Sequence, residues 1–137
     1  MYEKNLITKP ALMHIAHHEL QDVKGVTWPP LTYLSKEMVS GSPFHVLFRW
    51  IWEVPDPNNH MPRHSHSNDE LLLHFGIDRH HQEDLGAEFT FMLGNDNLTI
   101  NKSSAIYIPK GVDHNPMIWK RVDRPVLELA ITIGEYD

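Results

Sequence analysis

The sequence predicts an all-β fold, built from short antiparallel strands that close into a sandwich or barrel. Apolar and polar residues alternate along several short stretches, and almost no stretch has a helical period. The 10 prolines and 7 glycines divide these stretches at frequent turns. We expect closure because an open sheet of many short strands would leave unpaired edges exposed.

Length and composition predict one folded domain. The 137 residues, 41% hydrophobic and 22% charged, are typical of a single globular domain with its own core. Within residues 1–137 we expect an N-terminal arm over 1–43 and a β-barrel over 44–133. A net charge of -6 without any basic run excludes nucleic acid as an expected partner.

Cysteine and terminal composition limit the chemistry and the compartment. The chain contains no cysteine, so any bound metal must use nitrogen and oxygen ligands. The first twenty residues or so lack an apolar stretch long enough for a signal peptide or a membrane span. The expectation is therefore a cytoplasmic protein without a membrane partner.

The N-terminal arm is weakly patterned. Residues Ala11 to Gln21 are compatible with a short helix or a turn, whereas "VKGVTWPPLTYLS" indicates an extended segment that carries Trp28 and Tyr33 onto a core. The pattern changes at Phe44, where "FHVLFRWIWEV" alternates as a strand with one strongly apolar face.

Further strands follow in close succession. In "HSHSNDELLLHFG" the even positions 64, 66, 70, 72 and 74 should share one face, opposite Leu71, Leu73 and Phe75. "IDRHHQEDLG" is expected to be a polar loop. The segments "AEFTFMLG", "LTI", "SAIYIP", "PMIWK" and "VLELAITIG" bring the count to at least seven strands.

The stretch "HSHSNDE" raises the possibility of a metal site. On a strand, residues 64 and 66 would project to one face, and Glu70 has the same parity, which together offers two imidazoles and one carboxylate. His114, at the end of "PKGVDH", is the natural further ligand because Gly111 permits a tight reversal before it. The alternative is a polar loop of solvated histidines, since the chain holds 11 histidines.

Together, "HSHSNDE" and "IPKGVDH" resemble the two signature motifs of the cupin superfamily. The resemblance covers about Phe44 to Ile133 and implies a double-stranded β-helix, or jelly-roll, barrel. It also implies a metal centre of His64, His66, Glu70 and His114. Two positions depart from the common pattern, with Asn58 in place of a frequent glycine and Ile118 in place of a frequent asparagine.

Other residues could contribute to a site. His74 shares the parity of the proposed ligands and is either a base near the metal or a hydrogen-bonded histidine inside the barrel. His60, in a Pro/Asn loop, is expected to be solvated, and the pairs His17-His18 and His80-His81 are expected to be polar surface. Candidates for a general acid or base, if they face inward, are Tyr107, Glu88 and Glu128. Candidates for a carboxylate clamp, or for plain ion pairs, are Arg49, Arg121 and Arg124.

Two functional hypotheses follow. The first is a metal-dependent enzyme acting on a small oxygen-bearing metabolite by dioxygenase, isomerase, decarboxylase or lyase chemistry, with one Fe, Mn, Ni or Zn ion. The second is a binding or sensing protein whose metal anchors a ligand or braces the barrel. The apolar stretches "VLFRWIW" and "LLLHF" exceed what a small barrel can bury, which predicts a homodimer.

Overall fold

The computed structural model describes residues 1–13 and 22–134, and within these ranges the protein is built almost wholly from β-strands. Among the described residues the single helical element is a short 3-10 turn, Glu3–Asn5. None of the described residues belongs to a helix with the length and apolarity that a membrane crossing requires. The ten strands are β1 (Ala11–Leu12), β2 (Lys24–Val26), β3 (Leu31–Leu34), β4 (Phe44–Asp56), β5 (Glu70–Phe75), β6 (Asp84–Leu93), β7 (Asp96–Lys102), β8 (Ser104–Ile108), β9 (His114–Val122) and β10 (Val126–Ile133).

The strands form two antiparallel sheets. The larger sheet has the order β1-β3-β4-β10-β5-β8, with β2 also paired to β4, and the smaller sheet has the order β7-β6-β9. Apolar side chains from both sheets meet in one core, which confirms the all-β prediction. The buried members of this core are Ile51, Leu72, Leu85, Ala87, Phe89, Phe91, Ile106, Ile108, Met117, Trp119 and Val126.

Alternation along β4 places its most aromatic face outward. Between Phe44 and Trp52 the buried residues are Leu47, Arg49 and Ile51, whereas Trp50 is half-buried and Trp52 is exposed. The even residues of β4 face out because the odd residues meet the smaller sheet across the core. An arginine therefore enters the barrel interior while two stacked tryptophans, 5.2 Å apart between ring centroids, lie outside.

The N-terminal arm adds short strands to the larger sheet. Tyr33 meets Phe48 edge to face, with ring centroids 5.4 Å apart. The short helix considered for residues 11–21 is wrong at its start, because Ala11 and Leu12 form β1 and pair with β3. Residues 14–21, and His17-His18 with them, lie outside the described residues.

The strand predicted to run through "HSHSNDELLLHFG" begins only at Glu70. Glu70, Leu72 and His74 face inward while Leu71 and Phe75 are exposed, as the parity argument required. Residues 64–69 precede the strand, so the alternation of side chains along a strand does not explain why His64 and His66 lie together. Backbone hydrogen bonds to the second motif bring these two histidines together.

Candidate metal centre

The two histidine-bearing motifs are joined by backbone hydrogen bonds. His64 and His114 form an isolated antiparallel bridge, in which each N–H donates to the other residue's carbonyl, at 3.1 and 2.8 Å. The Gly111 N–H donates to the His66 carbonyl at 2.8 Å. Gly111 adopts a φ of 78°, which glycine tolerates without strain, so the turn before β9 can fold back onto the first motif.

Three imidazoles converge as a result. Each of His64, His66 and His114 offers a ring nitrogen within 4.8 Å of those of the other two. His66 and His114 are buried, and His64 is half-buried. Nitrogens about 2.1 Å from one ion lie no more than about 4.2 Å apart, so the rings would need to close by only a few tenths of an ångström around an ion. The cluster could therefore hold a metal ion.

Hydrogen bonds to carbonyl groups fix two of the tautomers. His64 Nδ1 lies 2.6 Å from the Pro62 carbonyl oxygen, and His114 Nδ1 lies 3.0 Å from the Val112 carbonyl oxygen. A carbonyl can only accept, so each Nδ1 carries a proton, and in the neutral ring Nε2 then keeps its lone pair. Burial lowers the pKa of His114, which favours the neutral form that binds metals.

Glu70 lies beside two of the three histidines. Its Oε2 is 3.9 Å from His66 Nε2 and 3.8 Å from His114 Nε2. Neither this oxygen nor His114 Nε2 has a hydrogen-bond partner among the described residues, although both atoms are buried. Burial and then the negative charge of Glu128 raise the pKa of Glu70 to about 7. A cation is the group that such buried acceptors fit, since it would satisfy both at once.

A second polar cluster lies deeper on the same sheet. Arg49 Nε donates to Glu128 Oε1 at 2.6 Å, and His74 Nε2 lies 2.7 Å from Glu128 Oε2. Arg49 Nη1 lies 2.8 Å from His60 Nε2, and His60 Nδ1 lies 2.9 Å from the Pro57 carbonyl oxygen. The carbonyl requires the proton on His60 Nδ1, so His60 Nε2 accepts from Arg49.

Electrostatics hold this cluster in one protonation state. Burial alone would raise the pKa of Glu128, but the Arg49 guanidinium and the hydrogen bond from His74 hold it well below its usual range. Burial and the Arg49 charge lower the pKa of His60 to about 4. At neutral pH the cluster therefore contains an ionised Glu128, a charged Arg49 and a neutral His60.

Structural comparison gives the family of folds. Matches with probability 1.00 include a cupin-2 domain protein of Rhodospirillum rubrum (TM-score 0.53, 11% identity, 94% of this chain and 71% of that chain). A predicted oxalate decarboxylase of Thermotoga maritima also matches, with a TM-score of 0.51 and 16% identity over 96% of this chain and 96% of that chain. A variant of Streptomyces PAC13 with uridine matches with a TM-score of 0.54 and 6% identity over 96% of this chain and 82% of that chain. No family model matches the sequence, and no curated protein does.

The chain has the cupin fold. In this cupin fold the two motifs stand at one end of the barrel, where the His64–His114 bridge joins the approach to β5 with the start of β9.

A pocket of about 620 Å³, including its open mouth, connects the two polar clusters of the cupin barrel. His64, Glu70 and His114 line it at the candidate metal centre, and Arg49 and Glu128 line it at the second cluster. The remaining lining is mainly apolar and comprises Met13, Pro30, Leu47, Phe48, Met61, Leu72, Phe91, Met117 and Ala130, with His60 and Asn115 as further polar members.

The other candidate residues are distributed unevenly. His74 is fully buried against Glu128, behind the pocket wall. Tyr107 lies on the outer face of β8 and is 60% exposed, so the fold does not bring it to the pocket. Glu88 pairs with Lys120, Arg124 with Asp84 and Arg121 with Asp123, all outside the pocket.

Sequence reasoning missed two pocket residues. His60 was expected in solvent, but it is 2% exposed because it packs edge to face on Trp28 and bonds to Arg49. Asn115 follows His114, is buried, and has a φ of 76°, a left-handed conformation that asparagine tolerates better than most residues. The Pro-rich loop before His60 gave no periodicity that could have placed it inside.

Proposed function

We propose that this protein is a metal-dependent enzyme acting on a small oxygen-bearing metabolite. His64, His66, Glu70 and His114 would hold one divalent ion of Fe, Mn, Ni or Zn at the wall of the pocket. The observation that carries the proposal is the convergence of ring nitrogens from three histidines with the buried Glu70 carboxylate, where burial penalises the charge that Glu70 carries unless a cation offsets it.

The ligands, the groups that orient them and the pocket lining would have separate roles. Three neutral imidazoles and one carboxylate would leave positions open on an octahedral ion, which could polarise the oxygen atoms of a chelating substrate as a Lewis acid. The Pro62 and Val112 carbonyl groups orient His64 and His114. Leu47, Leu72 and Phe91 give the body of the pocket an apolar lining.

Elemental analysis of the untagged protein tests the metal site directly. We expect about one metal ion per chain in the wild type, and loss of most of it in His64→Ala and His114→Ala. His80→Ala, which removes an exposed loop histidine, is the matched control and should keep the ion. A wild type that stays metal-free after incubation with each of the four ions would contradict the proposal.

A non-catalytic binding role is the second candidate. Both oxygens of Glu128 and both ring nitrogens of His60 are already engaged within the chain. These are the titratable pocket groups outside the metal cluster among the described residues, so neither is free to move a proton without rearrangement. Saturable ligand binding without turnover by the metal-loaded protein would favour this role.

A further inference from the structure

The inward face of the larger sheet presents side chains in rows that run across three strands. Arg49, Glu128 and His74 are directly opposite one another on β4, β10 and β5. The next inward row, two residues along, consists of Leu47, Ala130 and Leu72.

The third row consists of His45, Thr132 and the proposed ligand Glu70. An apolar row therefore separates the metal end of the pocket from the charged cluster. The step between successive inward rows is about 7 Å.

The charge of Arg49 is neutralised inside the protein. Its Nε–H bonds to Glu128 at 2.6 Å, its Nη2 lies 3.5 Å from the second Glu128 oxygen, and its Nη1 is engaged by His60. Arg49 is 4% exposed and the Glu128 side chain 12% exposed, so water screens this pair little. Arg49 is also the sole Lys or Arg among the described residues that line the pocket.

We propose, on the basis of the proposed function, that the pocket selects ligands with one chelating, singly charged oxygen end and an uncharged apolar body. The oxygen end would lie at the metal centre and the body over the Leu47–Ala130–Leu72 row. A ligand with a second carboxylate at its far end is excluded, because that charge would meet the ionised Glu128 and an arginine that is already paired.

Two 2-oxo acids of nearly equal size test whether the pocket prefers an apolar body to a second carboxylate. 4-Methyl-2-oxopentanoate and 2-oxoglutarate share the same chelating end, but the first ends in a branched alkyl group and the second in a carboxylate. Nickel is a suitable ion for the test because it favours six ligands and binds nitrogen donors strongly. We expect calorimetric titration of the nickel-loaded protein to show that the branched acid binds at least about tenfold more tightly than 2-oxoglutarate.

Glu128→Gln tests whether the neutralised arginine sets the preference. The amide keeps the shape of the carboxylate but removes its charge, which leaves the Arg49 charge uncompensated. The preference for the branched acid should shrink by about tenfold or invert in favour of 2-oxoglutarate. Glu88→Gln, which alters a carboxylate outside the pocket, is the matched control and should keep the wild-type preference.

Nickel content, measured on the same samples, separates the two proposals. Wild-type protein that holds nickel but binds 2-oxoglutarate as tightly as the branched acid, or binds neither, would overturn the selectivity while leaving the metal site intact. If the wild type holds no nickel, the same titration is made with whichever of Fe, Mn or Zn it holds. Wild-type protein that holds none of the four ions would remove the metal centre and the selectivity with it. The wild-type comparison stands on its own if Glu128→Gln fails to fold.

Discussion

His60 shows how one buried histidine can link pocket architecture to pH. Its two ring nitrogens are fixed by the Pro57 carbonyl and the Arg49 guanidinium, and its pKa is lowered to about 4. In the folded state His60 therefore becomes protonated only near pH 4, whereas in the unfolded chain it becomes protonated near pH 6.5. This histidine supports the fold fully above pH 6.5, and its contribution is lost as the pH falls toward 4.

We expect His60→Gln to flatten the acid side of the stability profile. Wild-type protein should lose about 3 kcal/mol more unfolding free energy than the variant between pH 6.5 and pH 4, from a pKa difference of about 2.5. Urea denaturation across that pH range measures the difference. Parallel profiles for both proteins would show that His60 is not the group responsible, and His80→Gln should follow the wild type.

Burial penalises the charge of Glu70, and either a proton or a bound cation would offset that penalty. In metal-free protein above pH 7, Glu70→Gln should raise the melting temperature, since the buried charge near Glu128 is removed. The same variant should bind the divalent ion at least about 10- to 100-fold more weakly, because loss of a group that only supports a ligand already costs that much. Scanning calorimetry with and without added ion measures both effects. A metal-free variant that melts below the wild type would contradict this account of Glu70.

At the scale of elements, Asn58 acts as an added piece of strand. Its Nδ2 donates to the Trp119 carbonyl at 2.8 Å, and the Trp119 N–H donates to its Oδ1 at 2.9 Å. The side chain thus pairs with the backbone of β9 as a neighbouring strand would, and ties the loop between β4 and β5 to the smaller sheet. This contact also explains how a loop without regular structure can present His60 to the core.

Asn58→Ala should destabilise the fold by about 2 kcal/mol, because two hydrogen bonds are lost and the buried Trp119 backbone is left without partners. Asn97→Ala, at an exposed position on β7, is the control and should change the unfolding free energy little. Chemical denaturation compares the two. Equal stability of both variants would show that solvent replaces the Asn58 contacts without cost.

The strands that sequence could predict are those with one buried face. β4, β6, β9 and β10 alternate over enough residues for the pattern to be seen, so their positions were predicted within a few residues, whereas the strand predicted from His64 begins only at Glu70. β1 to β3 are two to four residues long and depend on pairing with β3 or β4, which sequence does not reveal.

The candidate site was predictable in part, and for a partly mistaken reason. Histidine spacing brought attention to His64, His66 and His114, which the fold does bring together. The prediction that His64 and His66 lie together assumed that both are on a strand, whereas a bridge to β9 and a turn at Gly111 position them. The Arg49–Glu128 pair joins residues that are 79 positions apart, which no local pattern indicates.

At the scale of the whole molecule, the outer face of the larger sheet is unusually apolar. Trp50, Leu127 and Phe75 form one row across β4, β10 and β5. A parallel row consists of Val46, Ile131, Leu71 and Tyr107. Four strands of about seven residues make a face of roughly 19 by 24 Å, or about 450 Å² in projection, which is more than half of the roughly 800 Å² per partner that a standard interface buries.

We expect a second copy of the chain to cover this face, because a two-fold axis through it would pair apolar rows with each other. Light scattering at micromolar concentration should give twice the chain mass of 15.9 kDa. Phe75→Glu, on the face, should shift the protein toward the monomer, whereas Ile77→Glu, in the exposed loop after β5, should not. A monomeric wild type would contradict the expectation.

The bridge between His64 and His114 has a consequence for unfolding. These residues lie 50 positions apart, and the intervening chain contains β5 to β8. An ion bound by both would act as a crosslink that closes this long loop in a chain that has no cysteine for a disulfide. Release of the ion would then have to precede separation of β9 from the first motif, and the rate of ion release would limit how fast the barrel opens.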